Sequence, residues 1–414
     1  MPQNDLQVTI KSSHKQLRAL PDKQLVYLLL KVAPAETADR KRAPLNISLV
    51  IDRSTSMRGA RLNQVKAAAG LLVEKLSAGD TISIVTFSDR AQVVIPAQKV
   101  GNKVALVSRI NSIIASGATE IYQGLQAGMR ELRKTRGEEL VNHLILLTDG
   151  HTYGDSEQCL LLAEEAADKG VSMTAFGLGT EWNDEFLDAI VAPSGGRSAF
   201  IELPRQIIAY LEGQIDGLGS MFAQNIQFKH RFPQDVSIRF AFKVSPFVQP
   251  VPVEKNVLKL GMLEGVVPVS CLLEVAIGPQ ELGSFVDLPY LINAEIVSKG
   301  NAEVVIENKE SIAIFDRVAD SQLEPELLQA VQALTFYRMN EKAWQDVENG
   351  QLEVATRRMQ QLTKRLQQAG FRDLAEQAAN ETTRLTRMGA MSAEGHKRLK
   401  YGTRRLMSGT LPGS

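Results

Sequence analysis

Four short, largely apolar and β-rich runs, Leu45–Ile51, Thr81–Phe87, His143–Thr148 and Val171–Phe176, constrain this chain more than any other feature. Amphipathic helical stretches at Leu62–Leu76, Ala105–Ile114, Ile121–Arg133 and Ser156–Asp168 separate or follow them, with a fifth at Asp184–Val191. A strand that is apolar on both faces must be covered on both faces. Strands of that kind alternating with helices predict a mostly parallel sheet with helices on either side. Ala91–Ile95 follows Phe87 after only three residues, too few for a crossover. It is expected to pair antiparallel, as an edge hairpin.

The flanks read differently. Leu6-Gln7-Val8-Thr9-Ile10 alternates and Leu25–Val32 is largely apolar, so two strands joined by a turn at Pro21-Asp22 are expected. A charged stretch between Pro34 and Pro44 marks a boundary. From Phe222 to about Phe315 helical periodicity gives way to alternating runs broken by Pro and Gly, the pattern of a β-sandwich. Neither β block makes a complete sandwich alone, so the two are expected to join, with the α/β unit inserted between them. After Asp320, apolar residues recur at helical spacing, as in Leu352, Ala355, Met359, Leu362 and Leu366. Glu324-Pro325 reads as a helix start and Gly370 as a stop, which predicts two or three antiparallel helices. The expected organisation is 1–43, N-terminal strands of the sandwich; 44–219, α/β domain; 220–318, sandwich; 319–414, helical tail with a basic end.

At 414 residues two or three cores are expected. Lys+Arg and Asp+Glu both total 47, so no global field favours nucleic acid. With only Cys159 and Cys271, a disulfide scaffold is excluded and a reducing compartment is expected. The first residues lack the apolar core of a signal peptide, and runs such as Leu25–Leu30 are too short to span a bilayer. A cytoplasmic protein without a membrane partner is the expectation.

The chemistry concentrates at strand ends. The run Leu45–Ile51 ends in Asp52-Arg53-Ser54-Thr55-Ser56. In an open parallel sheet, ligands bind outside the carboxyl ends of the strands. A second loop, Ser116-Gly117-Ala118-Thr119, precedes the helix opening at Glu120-Ile121, and a third, Thr148-Asp149-Gly150, ends a buried strand. Three loops on one edge thus offer Asp52, Ser54, Ser56, Thr119 and Asp149. All are hard oxygen donors without imidazole or thiolate, a set that suits Mg²⁺, with Mn²⁺ or Ca²⁺ as alternatives. A coordination position left to water could accept an acidic residue from a partner.

This order of motifs, D-x-S-x-S, a distant Thr, then T-D-G, resembles the metal-ion-dependent adhesion site of von Willebrand factor A domains. Asp52, Ser54 and Ser56 match the first motif, Thr119 the second and Asp149 the third. The resemblance implies a Rossmann-like fold over about Leu45 to Gly219 and protein binding without catalysis. It also implies that the serines and threonine contact the metal and that the aspartates act directly or through water. The second motif commonly reads Gly-Gly-Thr and here is Gly117-Ala118-Thr119. The flanking β-rich and helical segments, ending in Arg398–Arg404, resemble bacterial cytosolic proteins that carry this module in a sandwich with a helical tail.

Other signals are weaker. The five histidines show no metal spacing, and HExxH, Walker A, G-x-G-x-x-G and G-x-S-x-G sequences are absent. Ser54 stands where a phosphatase of the haloacid dehalogenase type needs a second acid. Asp89-Arg90 reads as a hairpin turn, with partner contact as its rival. Trp182 and Tyr153 on rim loops fit either a core or an interface hot spot. Arg384, Arg387, Lys397, Arg398, Lys400, Arg404 and Arg405, against Glu394 alone, read as a solvated basic tail, with docking to an acidic partner or weak nucleic-acid binding as the alternatives; with no aromatic ladder beyond Tyr401, nucleic acid ranks below the solvated tail. Thr403, Ser408 and Thr410 are candidate phosphorylation sites. The functional expectation is a non-enzymatic, divalent-metal-dependent module that grips another protein through an acidic residue. Its rivals are a metal-assisted hydrolase with His151 or Glu120 as base, and a scaffold whose metal only braces loops.

Overall fold

The computed structural model describes residues 5–36, 42–135, 140–150, 154–317 and 323–406. The chain opens with β1 (Leu6–Ser12), β2 (Gln16–Arg18) and β3 (Gln24–Pro34). An α/β unit follows, built from β4 (Leu45–Asp52), α1 (Ala60–Lys75), β5 (Thr81–Phe87), β6 (Ala91–Lys99), α2 (Lys103–Asn111) and α3 (Ile121–Leu132). It continues through β7 (Val141–Thr148), α4 (Ser156–Asp168), β8 (Val171–Leu178), α5 (Asp184–Val191), β9 (Arg197–Ile201) and α6 (Ile207–Gly219). Its sheet has the order β6-β5-β4-β7-β8-β9, parallel except for β6, which pairs antiparallel with β5 as its edge position and short connection required. Every residue of β4, β5 and β8 is buried, which accounts for their largely apolar character, with polar side chains such as Asn46, Ser83 and Thr174 buried among the apolar ones. Side chains from α1, α2 and α6 cover one face of the sheet, and those of α3, α4 and α5 cover the other.

The chain leaves α6 directly into β10 (Met221–His230), followed by β11 (Val236–Ser245), β12 (Gln249–Val251), β13 (Val257–Glu264), β14 (Val269–Ile277), β15 (Phe285–Ile296) and β16 (Ala302–Phe315). Two five-stranded sheets result, ordered β1-β3-β14-β11-β12 and β13-β10-β15-β16-β2. Inward residues of both, among them Val26, Leu28, Leu30, Phe228, Leu273, Ile292 and Ile314, share one core. The α/β unit is therefore inserted in a β-sandwich that the N-terminal strands complete. The expected simple strand pair is corrected in one respect. β1 and β3 pair with each other, but the short β2 between them crosses to the second sheet and runs parallel to β16. Three residues are too few to carry a legible alternation. β9 and α6 are likewise elements that the sequence reading did not separate.

Among the described residues the tail comprises four helices, against an expectation of two or three: α7 (Pro325–Glu348), α8 (Leu352–Gln368), α9 (Arg372–Met388) and α10 (Ala393–Arg405). α7 begins after Glu324 with Pro325 in its first turn, where the missing N–H costs nothing. Its Leu327, Ala330, Leu334 and Tyr337 pack on Leu29, Phe242 and Leu272 of the sandwich. No helix among the described residues is long and apolar enough to cross a membrane.

The solvated basic tail is corrected. Arg384 and Arg387 are exposed, but Lys397, Lys400 and Arg404 on α10 are all buried. The reason is a set of carboxylates facing this helix. Arg404 donates to both oxygens of Asp188, at 3.1 and 2.5 Å, and Lys400 pairs with Asp184, with Asp188 at 3.4 Å and with Glu341 at 3.6 Å. His396 Nε2 lies 2.9 Å from Glu341 Oε1. Burial alone would raise the Asp188 carboxyl, but Arg404 and Lys400 overcome it and hold the group at about 2. Tyr401 packs against Trp182 and Phe200 with its ring tilted to both, at centroid separations of 5.8 and 6.0 Å. Trp182 is thus a core residue, 1% exposed, with its Nε1 donating to Gly179 O. Thr403 is fully buried and donates to Leu399 O, which removes it as a phosphorylation site. The Arg405 side chain, Ser408, Thr410, His151 and Tyr153 lie outside the described residues.

Candidate metal centre

β4 is the first strand of the α/β sheet and has β5 on one side and β7 on the other. The chain winds outward from it in both directions, so the carboxyl end of β4 is the topological switch point, where loops diverge and leave a crevice. Asp52 is the last residue of β4, paired in register with Phe87 at the end of β5, and Thr148 closes β7 alongside.

Asp52 is fully buried and receives two hydrogen bonds that fix both of its oxygens. The Ser54 N–H donates to Oδ1 at 2.8 Å, and the Thr148 hydroxyl donates to Oδ2 at 2.7 Å. Ser56 donates to Asp149 Oδ1 at 2.7 Å, and the Ser54 and Ser56 hydroxyl oxygens lie 3.0 Å apart. Asp149, also fully buried, accepts on Oδ2 from Arg61 Nη1 of α1 at 2.6 Å. Asp52, Ser54, Ser56 and Asp149 thus form one hydrogen-bonded chain. Thr119 is buried on the second loop, and its Oγ1 is 3.3 Å from where a Cβ on Gly150 would stand, against the Asp149 loop.

The second loop is held by backbone geometry. Gly117 adopts φ +83°, and a Cβ there would meet Asp89 Oδ2 at 2.6 Å. Both conditions demand glycine. Its carbonyl accepts from the Thr55 N–H at 3.0 Å, and the Ser116 N–H donates to Arg53 O at 2.7 Å, so the first and second loops are stitched together. Asp89 Oδ1 accepts from the Ala118 N–H at 2.8 Å. The turn read at Asp89-Arg90 is therefore also a brace for the Thr119 loop. Behind that loop, α3 lies so close to the sheet that a Cβ at Gly124 would meet Phe87 at 2.5 Å and one at Gly128 would meet Val50 at 2.6 Å. The helix that follows Thr119 is thereby held tightly against β4 and β5.

The electrostatics fit a cation. Burial pushes the Asp52 carboxyl up to about 6; the bonds from Ser54 and Thr148 oppose that shift, and the nearby charge of Asp149 adds to it. Two buried carboxylates share the site, and the one positive group bonded to either is the Arg61 guanidinium, among the described residues. Ionised buried carboxylates are costly unless compensated, and a hard divalent ion offers that compensation to an all-oxygen donor set. Sequence reasoning missed Arg61 and the bracing role of Asp89. An Arg five residues beyond the last residue of the first motif carries no signal of its own.

Residues 46–206 match the family model of the von Willebrand factor type A domain, and residues 325–409 match that of the Sll0103-like, C-terminal alpha-helical domain. Among curated proteins the chain is similar to an uncharacterized protein, sll0103, of Synechocystis sp., 39% identical over 182 residues that make up 43% of each chain. The chain spans less than half the length of the curated relatives first matched. Two solved structures share the fold along nearly the whole chain. A von Willebrand factor type A protein from Catenulispora acidiphila superposes with a TM-score of 0.78 at 15% identity, covering 97% of this chain and 96% of that one. The ArnB paralog VWA2 from Sulfolobus acidocaldarius gives 0.63 at 17% identity, covering 98% and 99%. The chain thus carries a von Willebrand factor type A domain, inserted in a β-sandwich and followed by a helical domain of the Sll0103-like family.

Proposed function

We propose that Asp52, Ser54, Ser56, Thr119 and Asp149 hold one divalent cation, Mg²⁺ in the first instance and Mn²⁺ or Ca²⁺ as alternatives. The module then binds another protein, without catalysis, through an acidic residue that completes the metal shell. The observation that carries this reading is the pair of buried carboxylates, Asp52 and Asp149, linked through the Ser54 N–H and the Ser54 and Ser56 hydroxyls at the switch point of the sheet. Such a cation would supply a fixed positive charge at a rim of otherwise acidic and neutral donors. Arg61 orients Asp149, Thr148 orients Asp52, and Asp89 holds the Thr119 loop. We take the compartment to be the cytoplasm, a reading supported by two cysteines that are both free and buried.

The test is metal-dependent capture of a native partner. Wild-type protein immobilised in Mg²⁺ is expected to retain a partner that EDTA releases, and Asp52→Ala and Thr119→Ala are expected to lose it while unfolding cooperatively. Capture that survives both substitutions and EDTA overturns the proposal. Turnover of phosphoesters or peptides that requires Asp52 and the added metal would replace it with the hydrolase reading.

A further inference from the structure

Beside the metal centre runs a second feature that the proposal above does not use. A groove of about 410 Å³ lies between the edge strand β6, the end of α2 and the residues leading to the Thr119 loop. Arg53 and Arg109 line it, together with Val93, Ile114 and Ser116. Arg53 stands between Asp52 and Ser54 in sequence, yet its side chain leaves the metal centre and lies along the groove, where Nη1 donates to the Ser116 hydroxyl. The groove therefore begins one residue from the proposed cation.

Its chemistry is specific. Neither Arg53 nor Arg109 has a carboxylate partner among the described residues, whereas Arg61, Arg133, Arg338 and Arg404 all do. Arg53 Nε is buried without any hydrogen-bond partner. A guanidinium presents its donors as a fork, and a carboxylate is the group that satisfies two of them at once. Between these charges the wall is apolar and open to solvent, with Ile114 76% and Val93 38% exposed. β6 is the free edge of the sheet, and its far half is closed to pairing. Pro96 has no N–H to offer, and the Ala97 N–H is taken by Glu131 Oε2 at 2.9 Å. The near half, beside the groove, has neither device. An extended segment lying there would meet backbone, apolar surface and guanidinium in turn.

We infer that this groove is the specificity-determining half of the partner site. It receives an extended peptide of the partner whose first carboxylate goes to the cation, whose apolar side chain covers Ile114 and Val93, and whose second carboxylate pairs with Arg53 and Arg109. This rests on the metal-dependent reading, and its test is arranged to separate the two. The probe is a displayed library of random short peptides, selected on the full chain in Mg²⁺ and again in EDTA. Wild type is expected to enrich peptides with two acidic residues a few positions apart and an apolar residue close by. R53Q, R109Q and I114D are expected to lose the second acid or the apolar residue. They should bind the wild-type peptides roughly tenfold more weakly, the loss of about one charge-assisted hydrogen bond. Calorimetric Mg²⁺ binding by R109Q and I114D, which lie outside the metal loops, should not change.

Enrichment of single acids that EDTA abolishes and the three substitutions leave unaltered would overturn the groove while sparing the metal reading. Two-acid enrichment that persists in EDTA but fails in R53Q and R109Q would support the groove and overturn the metal. Basic or purely apolar peptides, or a wild-type dimer in sedimentation that I114D dissolves, would assign the groove to another occupant and overturn the inference.

Discussion

The prediction with the most structure behind it concerns how the helical tail is fastened to the α/β domain. Asp188 on α5 accepts both Arg404 contacts, faces Lys400 at 3.4 Å and also receives the Ser198 hydroxyl. Replacing it with Ala leaves Arg404, 4% exposed, and Lys400, 2% exposed, buried without their central counter-charge. Removing one partner of a buried pair costs about 3–5 kcal/mol, because the orphaned cation remains desolvated. A second route gives a lower bound. The Asp188 carboxyl is held at about 2 against an ordinary 3.8, and a difference of nearly two units corresponds to roughly 2 kcal/mol of coupling to folding. Asp188→Ala is therefore expected to cost about 2–5 kcal/mol. The assay is urea unfolding with amide hydrogen exchange read over α5 and α10. Exchange in residues 393–405 should rise before the sheet of the α/β domain loosens, since Tyr401 and Trp182 lose their shared cover with the same event. A variant that unfolds at the wild-type urea midpoint with α10 still protected would refute the claim that these charges hold the tail down.

Three further outcomes follow from the same geometry. The depressed Asp188 carboxyl contributes stability that is present above its ordinary range and is lost as pH falls through about 2, so tail docking should weaken from about pH 4 downward; circular dichroism and tryptophan emission flat to pH 2 would contradict this. Gly117→Ala forces an L side chain into φ +83° and against Asp89, at a strain of about 1–3 kcal/mol, so it should weaken Mg²⁺ binding in calorimetry while leaving the sheet intact; unchanged affinity would show that the loop does not depend on this glycine. Arg61→Gln frees Asp149 Oδ2 and removes a like charge beside the proposed cation, so Mg²⁺ affinity should rise by up to about tenfold, and a fall instead would mean that bracing Asp149 matters more than competing for it.

How much of this was legible in the sequence depends on the length over which each element repeats its signal. The strands Leu45–Asp52 and Val171–Leu178 are buried on both faces, and short, largely apolar runs that alternate with amphipathic helices read as strands of a parallel sheet. Asp52, Ser54, Ser56 and Asp149 could be placed together because each stands at the end of such a strand, and strand ends of a parallel sheet converge. β2 has three residues and pairs 297 positions away, so no local pattern could reveal it. The reading of α10 failed for a related reason. Its positive charges suggested solvent, but the carboxylates that bury them stand on α5 and α7, more than fifty positions upstream. Charge is a local property of sequence, and compensation is a property of the fold. Trp182 was undecided on the same ground, since its packing surface is supplied by Tyr401.

Crystals of the full chain soaked in Mn²⁺, with anomalous difference density recorded at the manganese edge, test the central claim most directly. One strong peak is expected, within bonding distance of oxygens from the Asp52, Thr119 and Asp149 loops, and Asp52→Ala crystals should lose it. A peak elsewhere, or none at saturating Mn²⁺ with those loops ordered, would contradict the account.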